Sequence, residues 1–285
     1  MRRDVAAILI AHKFDPLRRE LYVEGKKDRV FLEWATGTRK SDQALIIQIE
    51  FVDIPDCPTG GNRSRLLKFL SQVQGEAADI RGLVDADSDR LKDVIPTYPD
   101  NVWVTDWRSI ESYVMTEECL DAALRLGGSI DSIDAKSALR NVMVVARWLA
   151  AVRFASESND FRLSVSEAKW AKYIKCQPGG TLTVDQESII VSLCQKAGIS
   201  LAKASLDSVV GAIKEAEERL AKLDDLHVVH GKDFMKILTI LLDRFTVNVD
   251  DAGRLLWPAF QRERLSEYPA LAEVVEYLTV STLSA

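Results

Sequence analysis

Short apolar runs alternate with helix-like segments over the first third of the chain. Four runs have the length of strands and are mostly apolar: residues 20–24, 44–50, 81–84 and 102–105. Apolar side chains recur at helical spacing over residues 27–35 and again after residue 62. Strands that alternate with helices are typical of an α/β fold with a mainly parallel sheet and helices on its faces. We therefore predict an α/β core over residues 1–115.

Beyond residue 109 the pattern is helical. Seven segments carry apolar residues at helical spacing: residues 109–126, 134–155, 185–197, 206–223, 232–245, 251–261 and 268–278. The turn at 177–180, Gln-Pro-Gly-Gly, is predicted to link helices, and residues 226–229 form a brief β-like run. We predict a helical insertion over 116–225, used for docking or dimerisation, and a return to the core over 226–285.

Carboxylates follow three of the predicted strands. The first strand ends with Glu24 and is followed by Asp28, the third is followed by Asp85, Asp87 and Asp89, and the fourth by Asp106 and Glu111. Parallel strands deliver their carboxyl ends to one edge of the sheet, where α/β proteins place their chemistry. Carboxylates gathered there repel one another and are tolerated when a divalent cation neutralises them. The sequence therefore predicts a Mg²⁺ site that Mn²⁺ could also occupy.

Several of these carboxylates also suit structural roles. Asp28 fits the N-terminus of a helix as well as a metal site, and Asp89 is either a third ligand or a turn residue. Asp106 could cap a helix, and Glu111 could face solvent. The run 85–89 does not form a calcium loop, because Arg90 and Pro96 stand where an EF-hand needs Gly and Glu.

Other kinds of site are disfavoured. The chain has no Gly-x-x-x-x-Gly-Lys-Ser/Thr motif, which argues against a P-loop ATPase. No Cys or acidic residue stands at zinc-ligand spacing from His227 and His230. The four cysteines lie too far apart in the sequence to indicate a zinc site or a disulfide framework, so we expect reduced thiols, as in a cytoplasmic protein. No apolar run is long enough to span a membrane, and the apolar start after Met1 is too short for a signal peptide.

Charge leaves the partner open. The formal net charge of −6 opposes bulk attraction to nucleic acid, although metal-binding carboxylates add to the acidic count. A Gly-Gly-Asn turn at 60–62 before a helix is a weak phosphate-binding signal. Basic residues cluster near the predicted site, either as solvated helix faces or as a rim that contacts phosphates: Lys26, Lys27, Arg29, Arg39, Lys40, Arg63, Arg65, Lys68, Arg90 and Lys92.

Four motifs in this order resemble a known family. They are Val-Glu-Gly-x-x-Asp at 23–28, Asp-x-Asp at 85–87, the Asp- and Glu-containing segment 102–113, and His-Gly-Lys at 230–232. Together they resemble the OLD-like TOPRIM family, which includes the effector nuclease of the PARIS anti-phage defence system. The resemblance implies a TOPRIM fold, which is Rossmann-like with a mainly parallel sheet, here with a large α-helical insertion and C-terminal helices.

The resemblance also implies a chemistry for named residues. It suggests a Mg²⁺-dependent endonuclease in which Glu24 is a metal ligand, a general base, or both, and Lys232 stabilises charge in the transition state. Asp85 and Asp87 match the ligand motif most firmly. The remaining implied ligands are Asp28, Asp89, Asp106 and Glu111.

The biological setting comes from the resemblance alone. It implies a cytoplasmic, toxin-like effector held by an ABC-type ATPase partner, which on release acts as a homodimer, cleaves host transfer RNA and causes abortive infection, with no role for a membrane. Alternatives are DNA nicking of the OLD type, RNA processing, and a non-catalytic scaffold that binds Mg²⁺ or a nucleotide. A topoisomerase is disfavoured because the chain is short for a nucleophilic tyrosine domain and a DNA gate.

Overall fold

The computed structural model describes residues 2–37, 44–55, 61–76, 79–91, 96–126, 133–165, 169–243 and 253–279. Its strands are β1 Arg3–Asp4, β2 Arg19–Val23, β3 Ala44–Gln48, β4 Val52–Asp53, β5 Ile80–Val84, β6 Val102–Val104, β7 Ile174–Cys176 and β8 Leu182–Val184. Its α-helices are α1 Val5–Phe14, α2 Lys26–Thr36, α3 Asn62–Val73, α4 Glu117–Leu126, α5 Ala135–Ser158, α6 Gln186–Lys196, α7 Lys203–Leu220, α8 Asp225–Val228, α9 Gly231–Asp243, α10 Gly253–Leu256 and α11 Pro269–Thr279. Short 3-10 turns lie at Ile49–Phe51, Asp89–Leu91, Ile110–Val114, Trp170–Lys172, Trp257–Ala259 and Arg262–Glu267.

Contacts divide the chain into two compact units. One comprises Met1–Ile110 with Phe260–Ala285, and the other comprises Glu111–Ala259. The predicted C-terminal segment 226–285 is thus divided, with its first part in the helical unit and the residues from Phe260 onward in the unit that contains the sheet.

The sheet of the first unit has four parallel strands in the order β3-β2-β5-β6. This confirms the predicted α/β class and parallel sheet. The fully buried strand β2 is central, and its register pairs Val23 with Gln48 on one side and with Leu83 on the other. A second, two-stranded parallel ladder of β1 with β4 was not predicted, because two-residue strands carry no period that a sequence could reveal.

The helix α3 packs closely on one face of this sheet. Tyr22 of β2 meets Phe69 of α3 with ring centroids 4.5 Å apart, within a buried cluster that includes Leu66, Leu70 and Val84. Gly82 of β5 faces the same helix, and a Cβ atom at this position would lie 2.2 Å from Leu70 Cδ1. The sheet therefore needs glycine here so that α3 can approach. In the same unit, α11 packs against α2, β3 and β6.

The start of β2 carries a buried carboxylate. Glu20 Oε1 accepts hydrogen bonds from Arg3 Nη1 at 2.8 Å and Arg18 Nε at 2.7 Å, and Oε2 accepts one from the Tyr22 hydroxyl at 2.6 Å. Burial acts to raise the pKa of Glu20, but these hydrogen bonds outweigh it and hold the pKa below its ordinary value. The compensated charge allows β2 to be buried along its whole length.

The second unit is built around the long helix α5. It packs against α4, α7, α8 and α9, and against β8 of the antiparallel hairpin β7–β8. The buried Asp233 of α9 forms a two-pronged ion pair with Arg153 of α5, at 2.7 and 2.9 Å. None of the described helices is long and apolar enough to cross a membrane.

Three predictions in this unit were wrong in detail. Residues 226–229 are not a strand: α8 ends at Val228, and Asp224 caps its start by accepting a hydrogen bond from the Leu226 N–H at 2.8 Å. The turn at 177–180 lies within the β7–β8 hairpin, where Gly179 and Gly180 adopt positive φ angles. Residues 109–126 are not one helix, because a 3-10 turn precedes Thr116, whose Oγ1 accepts the Cys119 N–H as α4 begins.

We expect Gly82→Ala to destabilise the chain by about 1–3 kcal/mol, because the new methyl group must displace the buried Leu70. Urea unfolding measures the change. The matched control is Gly211→Ala in α7, where a Cβ would meet nothing within 4 Å and helix propensity improves, so stability should stay level or rise by up to about 1 kcal/mol. Equal stability of Gly82→Ala and the wild-type chain would show that α3 does not need this close approach.

Candidate metal and nucleic-acid site

Glu24 lies where three elements of the sheet unit meet. It follows directly after β2, and its Oε1 accepts a hydrogen bond from the backbone N–H of Asp85, the first residue after β5, at 3.1 Å. Its backbone carbonyl accepts a hydrogen bond from Asn62 Nδ2 at the start of α3, at 2.7 Å. The structure thus brings together the ends of β2 and β5, as the sequence predicted for neighbouring parallel strands.

The carboxyl group of Glu24 is shifted toward its neutral form. Burial is the largest cause and acts with the negative charges of Asp28 and Asp87 to raise the pKa of Glu24 to about 7, against the lowering effects of the Asp85 N–H and Arg63. A carboxyl group that titrates near neutrality is typical of acid–base and metal-binding sites. Oε1 accepts the Asp85 N–H, whereas Oε2 accepts no hydrogen bond from the described residues and can take a proton or a cation.

Asp85 and Asp87 lie in a tightly anchored loop after β5. Asp85 Oδ1 accepts the Ile110 N–H at 2.8 Å, and the Asp87 N–H donates to the Arg108 carbonyl at 2.7 Å. Asp87 has a φ of 48°, a left-handed conformation that is uncommon outside glycine and concentrates at functional sites. Its side chain is 43% exposed, so its carboxylate faces the solvent side of this loop.

Asp89 belongs to the same loop but is buried. Its Oδ2 accepts hydrogen bonds from Arg63 Nη2 and from the hydroxyl of Tyr98. Arg63 Nη2 also donates to the Tyr98 hydroxyl at 2.9 Å, which closes a triangle of contacts. Burial and the hydrogen bond to Asp89 raise the pKa of Tyr98 to about 12. Asp89 therefore has a structural partner in this arrangement.

Asp28 takes the capping role that the sequence left open. It lies in the first turn of α2, and its Oδ2 accepts the N–H of Gly25, the residue that precedes the helix, at 2.8 Å. A carboxylate at this position is stabilised by the helix N-terminus. Asp28 still acts on Glu24, because its charge contributes to the raised pKa.

Asp106 caps a helix distant in the sequence. Its two carboxylate oxygens accept the backbone N–H groups of Ala270 at 2.9 Å and Leu271 at 3.2 Å, in the first turn of α11. Capping by Asp106 was predicted for a helix immediately after it, and the helix that it caps begins 163 positions later, at Pro269. No local sequence signal connects these two segments.

Glu111 and Lys232 belong to the helical unit. Glu111 is buried in the turn Ile110–Val114, where the sequence had allowed a solvent-facing side chain. Lys232 is exposed in the first turn of α9, next to the buried Asp233 that pairs with Arg153. Lys232 is thus an accessible lysine near a helix start.

Four further residues shape the site and were not singled out as site residues by the sequence. Arg63 and Asn62 begin α3 and contact the loop after β5 and Glu24, while Tyr98 contacts Asp89. Thr105 Oγ1 accepts the Ala86 N–H at 3.0 Å and donates to the Trp107 carbonyl at 2.7 Å. Two sequence signals pointed to this place: the Gly-Gly-Asn turn before α3 and the cluster of basic residues that includes Arg63. Gly60 lies outside the described residues, as do Arg39, Lys40 and Lys92.

The donor chemistry of the strand ends fits Mg²⁺. Within the described part of the chain, no three His, Cys, Asp or Glu side chains converge closely enough to hold a metal ion by themselves. Mg²⁺ is commonly held by one or two carboxylates, with water and phosphate oxygens as the remaining ligands. Glu24 Oε2 and the half-exposed Asp87 provide hard oxygen donors of this kind, with Asp85 beside them.

Neither a family model nor a curated protein matches this chain.

The pKa of Glu24 makes stability depend on pH. In the unfolded chain a Glu ionises near pH 4.3, whereas in the folded chain Glu24 ionises near pH 7, so the folded state loses stability as pH rises from about 4 to 7. Glu24→Gln cannot ionise. We expect it to be more stable than the wild-type chain by about 1 kcal/mol at pH 5 and about 3 kcal/mol at pH 8.

This difference is measured by urea unfolding in metal-free buffer at both pH values. Glu33→Gln is the control, because Glu33 lies on α2 in a partly exposed pair with Arg29 and should show a change within about 0.5 kcal/mol at either pH. A stability gain for Glu24→Gln that does not grow between pH 5 and pH 8 contradicts the raised pKa.

Proposed function

We propose that this chain is a Mg²⁺-dependent phosphodiesterase of the TOPRIM class that cleaves nucleic acid. The observation that carries the proposal is Glu24 at the end of β2, which is hydrogen-bonded to the first residue after β5. Burial, together with the charges of Asp28 and Asp87, raises its pKa to about 7. The parallel order β3-β2-β5-β6 supports the class, because it presents these groups at the carboxyl edge of an α/β sheet.

Glu24, Asp85 and Asp87 would hold the metal. Bound there, Mg²⁺ would supply positive charge to the attacked phosphate and lower the pKa of a coordinated water. Glu24 Oε2 would accept a proton from the attacking water or bind the cation, and its pKa near 7 suits it to either task at neutral pH. The hydrogen bonds to Asp85 and from Asp87 hold the loop rigid, so that little reorganisation is needed on binding.

The remaining predicted residues take lesser parts in this proposal. Asp28 contributes its negative charge to the pKa of Glu24 while it caps α2. Asp106 is engaged by α11 through both oxygens, which argues against a place for it in the ligand set. Glu111 and Lys232 stay candidates for a second metal and for charge stabilisation, on the strength of the resemblance.

The biological setting is proposed on the resemblance to the PARIS effector family. In this view the chain is a toxin-like effector of an anti-phage defence system, held in the cytoplasm by an ABC-type ATPase partner, which dimerises when released and cleaves host transfer RNA. In this proposal the helical insertion predicted from the sequence would supply the docking or dimerisation surface. DNA nicking of the OLD type is the alternative substrate choice.

We expect the purified chain to cleave total cellular RNA or plasmid DNA in Mg²⁺ and not in EDTA. Glu24→Gln and Asp85→Asn should each reduce the rate at least about 100-fold, because each removes a group from the proposed centre. Glu33→Gln should cleave at the wild-type rate. Fragment sequencing identifies the polymer and the position of the cuts.

Cleavage that persists in EDTA, or that is unchanged in both site variants, would rule out the proposed centre. Cleavage of plasmid DNA with transfer RNA left intact would favour the alternative substrate. The wild-type chain is assayed alone and after co-expression with the cognate ATPase partner, because a held effector cleaves only after release.

A further inference from the structure

The basic residue Arg63 is directed at the acidic loop from the start of α3. Its side chain is 25% exposed and contacts the loop at three points. Nε donates to the Asp85 carbonyl at 3.2 Å, Nη2 pairs with Asp89, and Nε lies 3.6 Å from Asp87 Oδ2. One guanidinium thus reaches all three aspartates of the Asp85–Asp89 run.

These contacts treat the aspartates differently. The Asp89 side chain is 4% exposed, and Arg63 and Tyr98 both donate to its Oδ2. The Asp87 side chain is 43% exposed, and its contact with Arg63 is longer. A buried carboxylate in direct contact with a guanidinium is the stronger partner, so most of the charge of Arg63 is neutralised by Asp89.

We propose that Asp89 is not a metal ligand but the counter-ion of Arg63, and that this pair sets the divalent-cation affinity of the site. This inference rests on the proposed function. Arg63 must lie close to Glu24 and the aspartates to anchor the loop through the Asp85 carbonyl, yet an uncompensated positive charge there would repel a divalent cation. Asp89 neutralises that charge. Arg63 can then position the loop through the Asp85 carbonyl while its electrostatic effect on Asp87 and Glu24 is reduced.

Removing the charge of Asp89 alone, and then together with that of Arg63, distinguishes a counter-ion from a metal ligand. In Asp89→Asn the charge of Arg63 is no longer neutralised and falls on Asp87 and Glu24, so Mn²⁺ should bind at least about tenfold more weakly than to the wild-type chain. In the double variant Arg63→Gln with Asp89→Asn both charges are absent, and binding should return to within about threefold of the wild-type value. A ligand role for Asp89 predicts that the double variant stays as weak as the single one.

Mn²⁺ is titrated into each purified full-length variant by calorimetry, a readout that does not depend on cleavage. Glu24→Gln serves as the reference for loss of a proposed ligand. Thermal melting of each variant reports folding, and Asp89→Asn should melt at a lower temperature than the double variant, because it leaves the partly buried charge of Arg63 without its partner. Where Asp89→Asn does not fold, the double variant alone decides: retained Mn²⁺ binding supports the proposal, and lost binding overturns it.

Mn²⁺ binding distinguishes a failure of the proposed function from a failure of the inference about Asp89. A wild-type chain that binds no Mn²⁺ removes the metal centre of the proposed function and this inference with it. Wild-type binding with no rescue in the double variant, or with no weakening in Asp89→Asn, overturns the inference and leaves the proposed function standing.

Discussion

The parallel pairing of β2 with β5 is the constraint on which the site depends. Because Val23 lies opposite Leu83, the two strands end at the same level, and Glu24 receives the Asp85 N–H. A slip of one residue would turn every β2 side chain to the opposite face and move Glu24 away from the loop. The register is held by the buried face of β2 and by the close approach of α3 at Gly82. Packing in the sheet therefore decides the geometry of the chemistry at its edge.

The balance of charge at buried positions distinguishes Glu20 from Glu24. Both ends of β2 carry glutamates, with opposite outcomes. Glu20 receives hydrogen bonds from two arginines and a tyrosine, and its pKa is lowered. Glu24 is also largely buried but receives one backbone N–H while two aspartates act against its charge, and its pKa is raised to about 7. The same residue type, four positions apart, therefore favours its ionised form at one end of the strand and its neutral form at the other.

The sequence predicted the strands of the sheet, their parallel direction and the proximity of Glu24 to Asp85. These features follow from local apolar runs and from a general rule for parallel sheets. It did not predict which carboxylates form hydrogen bonds or ion pairs with segments distant in the sequence. Asp106 caps α11 through a contact between segments 164 positions apart, and Arg63 reaches Asp89 from another helix. Residues 226–229 have a β-like composition, yet the cap at Asp224 and tertiary burial make most of this run helical.

These hydrogen bonds and ion pairs reduce the number of predicted carboxylates that are good candidates for metal ligands. A carboxylate that accepts hydrogen bonds on both oxygens, or that pairs with a guanidinium, gains less from a bound cation than one with an open oxygen, because its charge is already partly compensated. Asp106 and Asp89 meet this description, and Asp28 meets it in part through the Gly25 N–H. Glu24 differs, because its Oε2 remains available and its ionised form gains most from an added positive charge. A cation at this edge would offset both the loss of hydration of the Glu24 carboxylate on burial and its repulsion by Asp28 and Asp87.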